Sequence, residues 1–75
     1  MQNITFSIYD GHGSISFGTS LSQRMENIRK HYAVIKGVSS NNVVLQYERK
    51  VVRDSDTPAS LGMSHSDTVM ATLAE

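Results

Sequence analysis

The longest run of patterned positions lies over residues 20–37. Its apolar members Leu21, Met25, Ile28, Tyr32 and Ile35 are spaced i, i+4, i+7, i+11 and i+14, one stripe of an α-helix and no strand. Ser20 is placed to cap the first free N–H groups while Gln23, three residues on, reaches back to it, and Gly37 supplies the positive φ that ends the helix. A helix with one apolar face needs a partner layer. The alternation on either side predicts a sheet to supply it.

Before the helix, Ile4, Phe6 and Ile8 alternate with Thr5, Ser7 and Tyr9, the period of a strand with one buried face over residues 3–9. Asp10-Gly11-His12-Gly13 tolerates turn geometry, and Ile15 and Phe17 resume the alternation, which makes a hairpin. After a polar connection at 39–42, Val43, Leu45 and Tyr47 share a face of a third strand. Glu48-Arg49-Lys50 reads as a charged turn and Val51-Val52 as a short fourth strand. Asp56-Thr57-Pro58 reads as a cap followed by a proline at a helical first turn, with Leu61 and Met63 returning to the core. Ser64-His65-Ser66-Asp67 is a polar loop, and Val69, Ala71 and Leu73 alternate as a last strand.

The summed order is β-β-α-β-β-(short helix)-β, an α+β fold of β-grasp type, with a mixed sheet packed on one helix. In it the first and last strands lie parallel at the centre, where the apolar Ile4, Phe6 and Ile8 belong.

Size and charge narrow the function. At 75 residues there is room for one small core, spanning 1–75 as a single domain and expected to be part of a larger protein. With 39% hydrophobic and 19% charged residues the chain reads as globular. It has no cysteine, hence no disulfide and no thiolate metal site, which suits a nuclear or cytoplasmic location. Seven basic and seven acidic residues cancel. That balance argues against direct nucleic-acid binding and against a polybasic membrane patch, and no apolar run is long enough for a bilayer span. The sequon Asn3-Ile4-Thr5 carries little weight without a signal sequence.

Candidate chemistry is sparse. No nucleophile is framed by a base, and there is no Gly-x-Ser-x-Gly elbow. His12, His31 and His65 lack metal-pair spacing and read as solvated histidines; Asp54 and Asp56 fit an acid pair or a weak cation site or, more simply, turn and cap residues. The glycine-rich turn at 10–13 opens a strand rather than a helix, so it is no phosphate cradle. No catalytic residue, cofactor or metal is expected. What remains is surface recognition.

The second half resembles the SUMO branch of the ubiquitin-like proteins. The resemblance is carried by His31-Tyr32, Gly37-Val38, Val43-Val44-Leu45-Gln46-Tyr47-Glu48, Asp56-Thr57-Pro58-Ala59-Ser60-Leu61-Gly62-Met63 and Ser66-Asp67-Thr68-Val69. It covers about residues 30–71, and the Thr-Pro-x-x-Leu-Gly-Met piece is its most specific part. Three features differ from a conjugable SUMO. The chain ends Ala71-Thr72-Leu73-Ala74-Glu75 in place of a Gly-Gly, strand one begins almost at Met1, and Arg49 stands where the family has a turn glycine, at a cost of roughly 1 kcal/mol if it takes φ > 0. As given, the chain is expected not to be conjugated, like the SUMO-like domains of genome-maintenance and transcription-cofactor scaffolds.

The resemblance implies a non-catalytic, monomeric module of the SUMO pathway. It would bind the SUMO E2 conjugating enzyme, or other SUMO or ubiquitin pathway proteins, non-covalently through Tyr47, Glu48 and Asp67. It also implies a candidate peptide groove between strand two and the helix, with Ile15, Phe17, Asn27 and Ile35 at its positions. The rim is poor in positive charge, so weak or absent binding of acidic SUMO-interacting motifs is expected. Two other readings stay open. One is a generic ubiquitin-like domain docking through its strand face on another receptor such as the proteasome; the other is a modifier truncated before its Gly-Gly.

Overall fold

A computed structural model describes residues 3–73. Five strands form one mixed sheet in the order β2-β1-β5-β3-β4. The strands are β1 (Asn3–Tyr9), β2 (Ser14–Ser20), β3 (Val43–Tyr47), β4 (Lys50–Val51) and β5 (Thr68–Leu73); the helices are α1 (Met25–Lys36) and the single turn α2 (Pro58–Leu61). A 3₁₀ turn at Ser40–Asn42 leads into β3. β1 and β5 pair in parallel and all other neighbours are antiparallel. This is the expected β-grasp. The endings at Met1 and at Ala74-Glu75 lie outside the described residues.

The core follows the alternation. Ile4, Phe6 and Ile8 of β1, Phe17 of β2, Val43, Leu45 and Tyr47 of β3, and Val69 and Ala71 of β5 face α1, whose Met25, Ile28, Tyr32 and Ala33 are buried against them. Burying each such side chain contributes about 1.5–3 kcal/mol, and that burial rather than helix propensity holds α1 in place. Among the described residues no helix is long and apolar enough to cross a membrane.

The helix begins later than its apolar pattern suggests. Ser20 is the last residue of β2, opposite Asn3, and Leu21 precedes the helix, packing on the core from a turn. The proposed box between Ser20 and Gln23 does not form. Gln23 Oε1 instead accepts from Asn27 Nδ2 at 2.9 Å and from the Arg24 N–H at 3.1 Å. The free N–H groups of α1 are met by backbone. Met25 donates to the Asp56 carbonyl at 2.7 Å and Glu26 to that of Asp54 at 3.3 Å, so a distant loop caps the helix and no side chain is needed. At the other end Gly37 adopts φ 71° and its N–H returns to the last turn, as expected. Ile35 sits on the shoulder of the stripe and is half exposed.

Two turns are sharper than anticipated. Glu48 and Arg49 alone make the β3–β4 turn, with φ of 50° and 71°, so Lys50 already pairs with Tyr47, and the fourth strand is Lys50–Val51 rather than Val51-Val52. α2 is capped by Thr57, not Asp56. Thr57 Oγ1 accepts from the Ser60 N–H at 3.0 Å while Ser60 Oγ accepts from the Thr57 N–H at 2.9 Å, with Pro58 as first helical residue.

Candidate functional site on the sheet

Tyr47, Glu48 and Asp67 meet at one end of the sheet. The Tyr47 hydroxyl donates to Asp67 Oδ2 at 2.5 Å, and the same oxygen accepts from the Ser64 N–H at 2.8 Å. Donation to Asp67 is the main cause that pushes the phenol well above its ordinary pKa, with burial and the charges of Asp67 and Glu48 adding to it. The same bond, with the Ser64 N–H, holds the Asp67 carboxyl below its usual range. The ring does not serve as an exposed anchor. At 8% exposure Tyr47 is part of the core, which leaves Glu48 and the free edge of Asp67 as the polar surface there.

Phe17, Asn27 and Ile35 also come together, in a shallow groove between β2 and α1 that Gln23 and His31 complete. Ile15 does not line it; its side chain packs against the core instead. The groove residues carry no formal charge, as the sequence suggested, and His31 meets the edge of Phe17 with ring centroids 5.8 Å apart.

Several other titratable groups make contacts within the fold. His65 is not merely solvated: its Nδ1 accepts from the Thr5 N–H at 3.2 Å, which fixes the proton of the neutral ring on Nε2. Arg29 Nε and Nη2 each lie 3.2 Å from Asp54 Oδ1, and Arg29 also donates to the Ser40 carbonyl. Asp56 Oδ2 accepts from the Arg53 N–H at 2.9 Å. Asp10 closes the β1–β2 turn by accepting from the His12 and Gly13 N–H groups, and its other oxygen lies 2.7 Å from Lys36 Nζ. Lys36 foremost, then those N–H groups, hold Asp10 far below the usual carboxylate range. Among the described residues no group of three His, Asp or Glu is placed to hold a metal ion.

A further apolar feature lies on the strand face, whose residues the sequence did not single out. On the sheet face turned away from α1, register aligns Tyr9 with Met70, Met70 with Gln46 and Gln46 with Val51, a row crossing β1, β5, β3 and β4. Val44 lies two residues along β3 from Gln46, on the same face. Tyr9 is 38% exposed, Val44 41%, Met70 46% and Val51 59%. The signal was parity: Tyr9, Val44 and Met70 are apolar at strand positions that alternation assigns to solvent.

Among solved structures the chain is similar to the one titled "Caldiarchaeum Subterraneum Ubiquitin", with TM-score 0.89 and 16% identity over 99% of this chain and 96% of that one. No curated protein matches it in sequence. The model of the Ubiquitin family matches residues 4–75, and the chain belongs to that family.

Proposed function

We propose that the chain is a non-catalytic protein-interaction module that docks on a ubiquitin-pathway receptor through the outer face of its sheet. The observation that carries this reading is the row Tyr9, Met70 and Val51 with Val44 beside it: four apolar side chains held at fixed spacing by the ladder and left in solvent. A preorganised apolar patch loses little entropy on docking, and aromatic and methionine side chains are enriched in such contacts. Arg49 and Lys50 stand exposed beside Val51, so the matching surface is apolar with an acidic rim. A patch of this size supports weak binding, with a Kd on the order of tens to hundreds of micromolar. Titrating the domain with a proteasomal ubiquitin receptor tests it, with amide shifts expected on β3 and β5 and loss of binding in Met70→Lys.

A second reading keeps the SUMO E2 conjugating enzyme as partner. Glu48 and Asp67 favour it, because both carboxylates lie beside the Tyr47 hydroxyl and present negative charge to a basic surface. On this reading Glu48→Lys and Asp67→Lys abolish E2 binding while Met70→Lys leaves it intact.

A further inference from the structure

The two edges of the sheet are built differently. β4 is two residues long, carries Lys50 and follows a turn with two positive φ values, which blunts it against strand addition. β2 is the other edge. It runs seven residues, Ser14–Ser20, with no charge and no proline, and nothing in the described residues covers it.

Its free backbone groups are identified by what β1 does. The Ser7 N–H donates to the Asp67 carbonyl, and Thr5 uses its N–H for His65 and its carbonyl for Ser66. Ser7 and Thr5 therefore face β5 with their hydrogen-bonding groups, although they stand opposite Ser16 and Gly18 in the β1–β2 register. In an antiparallel ladder such pairs are the non-hydrogen-bonded ones, so Ser16 and Gly18, and by alternation Ser14, turn their N–H and C=O groups outward, while at Ser20 the carbonyl is taken by the Gln23 N–H at 3.2 Å and only the N–H is left on the edge.

We infer that β2 pairs antiparallel with β2 of a second copy of this chain, about a two-fold axis at Phe17. That register sets Ser16 against Gly18, whose backbone groups both point outward, and Ser14 against Ser20, where the Ser20 N–H meets the Ser14 carbonyl. The strand is self-complementary in bulk as well as in hydrogen bonding, because Ser14, Ser16, Gly18 and Ser20 put only small side chains on the outer face. Charge selects a second copy over a charged peptide. The edge and the adjoining Gln23, Asn27 and His31 carry no formal charge, so they neither attract an acidic or basic segment nor repel their own image, and the whole chain has net charge zero and a pI near 6.8. The pairing joins two five-stranded sheets into one. An edge contact buries less than the roughly 1,200 Å² of a standard interface, so self-association falls at about 0.1–1 mM rather than nanomolar. The chain is then a weak symmetric dimer in place of the monomer expected from sequence, and its outer face stays open.

Sedimentation velocity and two-dimensional NMR across this concentration range test the pairing. The expected result is a mass rising from 8.3 kDa toward twice that value, with concentration-dependent amide shifts confined to 14–20 and the facing side of α1. Ser16→Lys and Gly18→Glu each place a charge on the edge. Both fold, because Ser16 is on the outer face and a Cβ at Gly18 meets only Thr5 Oγ1 at 4.0 Å. Each variant alone loses self-association, and mixing them restores it, since the register sets position 16 of one copy against position 18 of the other. A constant monomer mass at 1 mM overturns the inference. So does association that survives both variants but disappears in Met70→Lys, which would place it on the outer face, or β2 shifts that arise only on adding an acidic peptide, which would make the edge a peptide site.

Discussion

Tyr47 and Asp67 are joined by a 2.5 Å hydrogen bond from the phenol of β3 to the loop that feeds β5. The same carboxylate receives the Ser64 N–H, so one side chain closes its own loop and fastens it to the neighbouring strand.

Tyr47→Phe removes the only side-chain donor to Asp67 among the described residues and destabilises the fold. Tyr32→Phe is the contrast. The Tyr32 hydroxyl is buried with no hydrogen-bond partner among the described residues, so deleting it is neutral or slightly stabilising. Thermal melts of the two variants check the order, Tyr47→Phe below wild type and Tyr32→Phe at or above it.

Acid should unfold the domain through the same carboxylates. Asp67 and Asp10 have folded pKa values depressed below their unfolded ones, Asp67 chiefly by the Tyr47 hydroxyl and Asp10 chiefly by Lys36. Their contribution is therefore complete above the unfolded value of about 4 and is lost as pH falls toward the folded values. Denaturant midpoints across that window fall for wild type, and Asp10→Asn lowers the neutral-pH plateau while flattening the acid limb.

The β3–β4 turn carries removable strain. Glu48 and Arg49 both hold positive φ, which costs an L residue roughly 1 kcal/mol and glycine almost nothing. Arg49→Gly raises stability by up to about 1 kcal/mol, less the extra entropy glycine gives the unfolded chain, measured by urea unfolding.

Thr57→Ala opens the capping box of α2, which lies over the core beside Met63 and Leu61. A loss of about 1 kcal/mol is expected in the same assay, and Thr57→Ser retains most of it.

The fold was legible because its long-range order is encoded in local periods. Ile4-Phe6-Ile8, Val43-Leu45-Tyr47 and the Met25-Ile28-Tyr32 stripe each named their own buried face. The start of α1 was not legible, because its cap comes from the carbonyls of Asp54 and Asp56, far along the chain, while Ser20 was claimed by β2. Alternation also concealed the outer patch. Tyr9, Val44 and Met70 break the polar parity of their strands one at a time, and only the register Tyr9–Met70–Gln46–Val51 makes them neighbours. The structure brings Tyr47, Glu48 and Asp67 together; the alternation of β3 already put the Tyr47 ring on the buried face, whereas the hydrogen bond from its hydroxyl to Asp67, 20 residues away, had no local signal.

The measurement that bears most directly on the outer face is a titration of the isotope-labelled domain with a proteasomal ubiquitin receptor and, separately, with the SUMO E2 conjugating enzyme. The account predicts receptor-induced shifts centred on Tyr9, Val44, Met70 and Val51, abolished by Met70→Lys and untouched by Glu48→Lys. No shift on that face at several hundred micromolar receptor, or E2 binding that depends on Glu48 and Asp67 but not on Met70, would contradict it.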